Sequence, residues 1–399
     1  MKKTFNLVMT IVAVGLTLTF AISSVIEKQP HNKVELKKIS GDYSALNDIN
    51  LEILEPKTTY SADKLVIGND GEKVSKVKYD SYRNVSEEVL KNKKLYRDAM
   101  RHSGYINYDN ENYKFVVSSS FDYTGRSNRN NYRNTIHVAY KNKENNNIEK
   151  FEKVIEADGN INLLKAFDFE NKVMLLLENS SMNEKGESYK SLFLYELELQ
   201  SKDIKLIKEF KVEKISGVGS KDVFIINDNV YINNMNSVQD DKMSFIVLNL
   251  KEQTINTIET EKLNFGKKDL QVHSCSDLDG EYIYTLVNIR EHYITNKEEQ
   301  YFVKFNIKSN KFEDIKKIGD IDMSEGQYSD IVDLKVKDGN MYLLSQKVKE
   351  ELNYYNDKFD LQFKVLNLNE NKNKLELNIG NTSGYYNRIK LTEMNLNEN

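Results

Sequence analysis

The chain has 399 residues, of which 39% are hydrophobic and 30% charged, and a formal net charge of -4. Aromatic residues make up 10% of the chain, which excludes a disordered protein, because disordered chains lack the large apolar groups that offset the entropy of ordering. The small acidic charge argues against nucleic acid as a partner, which would require clustered Lys and Arg. A single cysteine, Cys275, excludes an internal disulfide and a zinc site built from several cysteines.

Residues 1–26 carry the strongest targeting signal. Lys2 and Lys3 precede an uncharged run that continues to Val25. Such a run is long enough for a helix that crosses a bilayer, which takes about 20 residues. It favours an uncleaved signal-anchor. The chain would then be a single-pass protein of the cell membrane, with the two lysines in the cytoplasm and the C-terminal domain outside the cell. The alternative is a signal peptide cleaved near Ala21-Ile22-Ser23, which would release a secreted protein.

The next segments indicate a linker and then the start of a folded domain. Polar residues 27–48 are typical of a juxtamembrane linker. The alternating pattern of residues 51–54 predicts a strand that stops at Pro56. Residues 63–74 predict a hairpin that turns at Asn69-Asp70-Gly71. We therefore assign residues 49–399 to one folded domain.

One helix is predicted near 86–103. Ser86 can cap its N-terminus, Glu87 and Glu88 occupy its first turn, and no Pro or Gly follows until Gly104. Apolar residues can form one stripe, and basic residues cover the rest. This pattern favours a helix that packs on a β-domain and exposes a basic face to solvent. A helix that binds a membrane surface or a partner is the alternative.

From Gly104 onward, strand patterns recur with a period of about 50 to 60 residues. In each copy the second strand follows a turn rich in Asp, Asn, Gly, Glu and Lys. These turns lie at residues 110–112, 170–172, 227–229, 279–281 and 338–340. A period of this length with about four strands is typical of a propeller blade, whose neighbours cover its two faces. We predict an all-β fold, a β-propeller of six four-stranded blades, with seven blades as the alternative.

The C-terminal strand pattern near 388–394 completes this architecture. Pairing with the N-terminal strands would close the ring and remove an exposed sheet edge. A hydrophobic N-terminal segment followed by such repeats resembles β-propeller proteins in general. It is also similar to exported propeller-like proteins of Gram-positive bacteria. The resemblance covers about residues 49 to 395 and depends on Asp-Gly hairpins, which many propellers use.

Motifs for catalysis or metal binding are not recognisable in the sequence. It contains no phosphate-binding loop, nucleophile elbow or His-Glu-x-x-His motif. The five histidines have no ligand spacing, and we predict neither a metal site nor a cofactor. The acidic stretches 277–280 and 320–322 fit hairpin turns better than calcium loops.

The loop 125–133 is the candidate binding site. It contains Arg126, Arg129, Tyr132 and Arg133 and no acidic residue. Guanidinium groups pair with carboxylates and phosphates, and a tyrosine ring adds a stacking face. The loop thus predicts contact with a protein or an anionic cell-surface polymer. A solvated hairpin loop is the alternative, which the Asn-rich composition favours.

The sequence as a whole favours a non-enzymatic module for binding, sensing or assembly, held at the membrane by its N-terminal helix. The alternative is a propeller-fold hydrolase or lyase that acts on a cell-surface glycan or peptide. No catalytic residue can be assigned from the sequence.

Overall fold

The protein is all-β, with six antiparallel, blade-like sheets of four or five strands and four short helical segments among the described residues. The computed structural model describes residues 35–46, 49–58, 61–78, 87–102, 104–123, 132–157, 159–182, 188–212, 219, 222–234, 242–260, 268–276, 281–291, 297–322, 327–349, 358–370, 372–383 and 389–393. The chain divides into two compact units, one of residues up to Lys91 with those from Asn340 onward, the other of Asn92–Gly339.

The first unit contains the four-stranded sheet β25-β2-β3-β4 and four strands of the five-stranded sheet, in the order β1-β24-β23-β22. Its strands are β1 Glu35–Gly41, β2 Ile49–Thr58, β3 Ser61–Gly68, β4 Gly71–Lys78, β22 Asn340–Lys349, β23 Lys358–Asn367, β24 Lys372–Ser383 and β25 Ile389–Glu393. It also holds a 3-10 helix, Tyr43–Leu46, and helix α1, Glu87–Lys91.

The second unit contains four sheets of consecutive strands, β5–β8, β9–β12, β13–β16 and β17–β20, and ends with β21. The first two sheets are β5 Tyr105–Asp109, β6 Tyr113–Tyr123, β7 Tyr132–Asn142, β8 Ile148–Glu156, β9 Asn160–Phe169, β10 Lys172–Met182, β11 Ser188–Glu198 and β12 Asp203–Val212. The remaining strands are β13 Val223–Ile226, β14 Asn229–Asn233, β15 Ser244–Asn249, β16 Thr254–Glu259, β17 Lys268–Ser276, β18 Tyr282–Glu291, β19 Lys297–Asn306, β20 Lys311–Asp322 and β21 Gln327–Lys337.

The predicted hairpin turns are present where the structure describes them. Asp338 and Gly339 have φ angles of 49° and 69°, and positive φ at both central residues is what a type I′ turn requires. Glu170 and Asn171 repeat this geometry in the turn between β9 and β10, with φ angles of 50° and 62°. The turn chemistry read from the sequence therefore corresponds to real backbone geometry.

The predicted linker 27–48 is wrong for residues 35–46. Strand β1 pairs antiparallel with β24, and the 3-10 helix follows it. Strand β2 also continues beyond its predicted stop at Pro56. Pro56 lies beyond Ile53, where the ladder with β25 ends, and beside a register shift in the ladder with β3, and sheets tolerate proline at such edges and irregularities.

The helix predicted near 86–103 is present as short pieces. Helix α1 is followed by helix α2, Lys93–Tyr96, and by a 3-10 helix, Ala99–Arg101. Leu95 and Tyr96 are fully buried, whereas the basic side chains near them are exposed. The expected division into an apolar and a basic side is therefore present within α2.

The predicted membrane segment, residues 1–26, lies outside the described residues. None of the helices within the described ranges has the length and apolarity that crossing a bilayer requires.

The C-terminal strand pairs with the N-terminal one inside the first unit. In the β25–β2 ladder Leu391 lies opposite Leu51, and both side chains are buried. This pairing places β25 at one edge of the four-stranded sheet β25-β2-β3-β4, next to an N-terminal strand.

Replacement of Gly41 by alanine should destabilise the first unit. Gly41 has φ +84°, and an added Cβ would lie 1.9 Å from the carbonyl oxygen of Lys374. We expect a loss well above the roughly 1–2 kcal/mol of left-handed backbone strain alone, measured by urea unfolding. Gly71→Ala is the matched control, because Gly71 has φ +96° with no heavy atom within 4 Å of the added Cβ. Equal losses for both variants would contradict the role assigned to the steric clash.

Candidate functional site

The sheet β5–β8 uses its two faces differently. On one face, Phe115, Val117, Ile136 and Val138 form a hydrophobic core with residues of β9–β12. Because side chains alternate along a strand, the residues between these positions lie on the opposite face. Burial of the first face thus determines which residues the second face presents.

The second face carries three rows of side chains that cross β6, β7 and β8. Residues paired directly across a ladder lie on the same face, so each row is a set of neighbours. The rows are Val116, Ala139 and Lys150; Ser118, His137 and Glu152; and Ser120, Thr135 and Val154. Polar and titratable groups are concentrated in the middle row and next to it.

His137 connects a serine and a glutamate on this face. Its Nε2 lies 2.8 Å from the Ser120 Oγ, and its Nδ1 lies 3.2 Å from an oxygen of the Glu152 carboxylate. A carboxylate accepts from an N–H, so the neutral imidazole carries its proton on Nδ1 and donates it to Glu152. Nε2 is then free to accept the Ser120 hydroxyl proton. This is the arrangement of an activated serine nucleophile, a general base and an orienting acid.

A short segment, Asp98–His102, covers the middle of this face, and we call it the roof. At one end, Lys150 Nζ donates to Asp98 Oδ2 at 2.8 Å. At the other, the His102 ring stacks on the His137 ring, with centroids 4.4 Å apart and planes inclined by 13°. The roof is thereby attached both to β8 and to β7.

The charges of the roof respond to these contacts. The hydrogen bond from Lys150 lowers the pKa of Asp98, which keeps the carboxylate ionised. Burial, together with the neighbouring His137, lowers the pKa of His102 below its ordinary value of 6.5. At neutral pH the roof therefore presents a neutral imidazole to His137.

A cavity of about 470 Å³ lies between the roof and the sheet. Its walls include Ala99 and His102 from the roof and Ser118, His137 and Ala139 from the sheet. Volumes in this range are common for small-molecule sites. Ser120 is not among the lining residues and lies one row away, joined to the cavity through His137.

The residues predicted from the loop 125–133 are only partly described. Arg126 and Arg129 lie outside the described residues. Tyr132 and Arg133 belong to strand β7 and not to a loop, because β7 begins at Tyr132. The ladder pairs Arg133 with Asp122 and Glu156, and its position two residues before Thr135 puts it on the same face as His137. Its side chain is exposed.

The sequence interpretation missed the serine, histidine and glutamate of this site. His137 and Glu152 lie opposite each other because the β7–β8 hairpin turns at the Asn-rich residues 143–147, a signal that the sequence does contain. Contact between His102 and His137 joins the roof to a strand, and no local pattern predicts it.

Metal binding finds no support in the part of the chain that the structure describes. No group of three or more His, Cys, Asp or Glu side chains there is arranged to hold a metal ion. The stretch 277–280, weighed above as a calcium loop, lies outside the described residues.

No protein-family model matches the chain, and no curated protein matches its sequence. Among solved structures, it is similar to a chimera of apocarotenoid oxygenase (ACO) and RPE65, at 8% identity with a TM-score of 0.47, covering 92% of this chain and 97% of that one. A cobalt-substituted Synechocystis ACO has 8% identity and a TM-score of 0.46, covering 92% and 96% of the two chains. With TM-scores below 0.5, these similarities do not determine the activity of this protein.

The His102 contact predicts a pH dependence of stability. Because the folded state holds the pKa of His102 below 6.5, the unfolded chain binds the proton more readily, and stability falls as pH drops through and below 6.5. His102→Gln should reduce this fall. Urea unfolding at about pH 7.5 and 5.5 measures it. The wild-type protein is the reference, since His137 is present in both proteins. If the free energy of unfolding falls between the two pH values by the same amount in His102→Gln and in the wild type, His102 titrates as in the unfolded chain.

Proposed function

We propose that this protein is a hydrolase of carboxylic esters, with Ser120 as nucleophile, His137 as general base and Glu152 as the residue that orients His137. The observation that carries the proposal is the continuous contact from Ser120 Oγ through both imidazole nitrogens to the Glu152 carboxylate. Nucleophile, base and orienting group within hydrogen-bond reach are the geometric signature of covalent acyl transfer.

The reaction runs in two balanced halves. Ser120 Oγ attacks the ester carbonyl carbon while His137 Nε2 takes the hydroxyl proton, and Glu152 stabilises the imidazolium through Nδ1–H. The C–O bond to the alcohol then breaks, and His137 returns the proton to the leaving oxygen. Water attacks the acyl-serine with His137 again as base. Release of the carboxylic acid returns the proton to Ser120.

Esters are favoured over glycosidic bonds as the substrate. Glycoside hydrolysis uses two carboxyl groups that flank the scissile bond. In the middle row only Glu152 is acidic, and its partner on the far side of His137 is Ser118. Asp98 of the roof also lines the cavity, but the hydrogen bond from Lys150 keeps its carboxylate ionised, so it would not act as the general acid that glycoside hydrolysis needs.

The scaffold and location that we propose complete this picture. The six blade-like sheets would form a six-bladed β-propeller. Residues 1–26 would direct the chain out of the cytoplasm, as an anchor or a cleaved signal. The substrate would then be an ester at the cell surface, and acyl groups carried by a glycan or peptide are of this class.

A binding or sensory module is the second candidate. Glu152 has a side chain that is 71% exposed, and an exposed carboxylate orients an imidazole more weakly than a buried one. The same cavity, with Arg133 on the same face and the loop arginines Arg126 and Arg129 before it in the chain, would serve a ligand that is bound without reaction. A protein or an anionic polymer remains the partner proposed for this case.

Ser120→Ala should abolish ester hydrolysis. We expect kcat/KM for p-nitrophenyl acetate to fall by about 10³-fold or more, because the nucleophile is lost. Mass spectrometry of the wild-type protein treated with a fluorophosphonate should locate the label on Ser120. Ser119→Ala is the matched control, since it removes a hydroxyl from the adjacent position of β6 on the opposite face. Wild-type turnover by Ser120→Ala, or a label at another residue, would favour the binding module.

A further inference from the structure

Ser118 carries a buried hydroxyl without a partner. Its side chain is 1% exposed, and among the described residues no group forms a hydrogen bond with its Oγ. Ser118 also lines the cavity beneath the roof. An unsatisfied buried hydroxyl costs about 1–3 kcal/mol, so a polar atom of a bound molecule would remove this penalty.

The position of Ser118 relative to Ser120 matches the size of an ester carbonyl. The two serines are i and i+2 on one face of β6, and at about 3.3 Å per residue their Cα atoms are about 6.6 Å apart. From Ser120 Oγ through the carbonyl to Ser118 Oγ, a nucleophile approach of about 3 Å, the C=O bond and a hydrogen bond of about 2.8 Å form a bent path that spans at most about 7 Å, which two neighbouring side chains on one face can bridge. A carbonyl attacked by Ser120 would thus direct its oxygen toward Ser118.

Beyond Ser118 the cavity wall is apolar on the side of β6 and β7, whereas Lys150 of β8 completes the row and pairs with Asp98. Val116 and Ala139 form the next row, and Ala99 lies above them in the roof. All three side chains are small and at least nine-tenths buried. A volume of about 470 Å³ corresponds to about fifteen water molecules at roughly 30 Å³ each. This space accommodates a short hydrocarbon chain.

We propose that the cavity beneath the roof binds the acyl group of a short-chain carboxylic ester, with Ser118 Oγ donating a hydrogen bond to the carbonyl oxygen. The inference rests on the proposed ester hydrolysis and names its substrate class. Negative charge develops on the carbonyl oxygen when Ser120 attacks, so the Ser118 hydrogen bond strengthens in the transition state. Ser118 keeps its own proton throughout, and it changes no bond.

Ser118→Ala tests the hydrogen bond. We expect kcat for p-nitrophenyl acetate to fall by about 10²-fold or more, with KM changed by less than about threefold, because the contact forms mainly in the transition state. The melting temperature should rise or stay the same, since the substitution removes a buried hydroxyl that has no partner in the structure to lose. Ser119→Ala is again the control. A lower melting temperature with unchanged kcat would give Ser118 a structural role and overturn the proposal.

Ala139→Leu tests the acyl pocket. The larger side chain should reduce kcat/KM for p-nitrophenyl butyrate at least about tenfold relative to acetate, because it fills the space of the longer chain. If the variant does not fold, Val116→Ala replaces it, and the ratio should then move toward longer esters. An unchanged butyrate-to-acetate ratio in the folded variant would show that the acyl chain lies elsewhere.

The outcomes separate this inference from the proposed function. Loss of turnover in Ser120→Ala with wild-type kcat in Ser118→Ala would leave the hydrolase intact and overturn the role of Ser118. Wild-type turnover in both variants would overturn the hydrolase and the inference together.

Discussion

The alternation of side chains along β6, β7 and β8 is the constraint on which the candidate site depends. Phe115, Val117 and Val138 must enter the core that the sheet shares with β9–β12. A strand cannot bury one residue without turning its neighbour away, so Ser118 and His137 are brought to the opposite face by the same packing. Core formation and the assembly of the polar rows are one event.

The ladders that join β6, β7 and β8 also restrict the movement of Ser120, His137 and Glu152. His137 and Glu152 are paired directly across β7 and β8, and backbone hydrogen bonds on both sides of β7 hold the histidine in register. Rigid elements position reacting groups better than loops do. The roof differs, because it is held by an ion pair between Asp98 and Lys150 and by the stacked imidazoles. One wall of the cavity is therefore held by backbone hydrogen bonds, and the opposite wall is held by side-chain contacts alone.

Local features of the fold were predictable, and distant contacts were not. The turns at Asp338-Gly339 and Glu170-Asn171 are encoded by adjacent residues, and the hairpins and the period of the repeats follow from them. The sequence predicts a linker where β1 lies, because the residues of β1 are mostly polar and its partner, β24, is far along the chain. The contact of Ser120 with His137 depends on the register of β6 against β7, which strand patterns do not specify. The contact of His102 with His137 requires the tertiary structure itself.

In the proposed hydrolase, the two attachments of the roof would let the residues that choose the substrate change separately from those that react with it. Substitutions between Asp98 and His102 would reshape the roof side of the cavity. Strands β6, β7 and β8 would meanwhile keep Ser120, His137 and Glu152 in place. A lineage of such proteins would therefore diversify through five consecutive codons without redesigning the sheet. Because Ala99 and Val116 are so small, the first accessible changes are enlargements of side chains, which shorten the ligand. Acceptance of longer ligands would require a side chain smaller than Val116 or a roof that lies farther from β7.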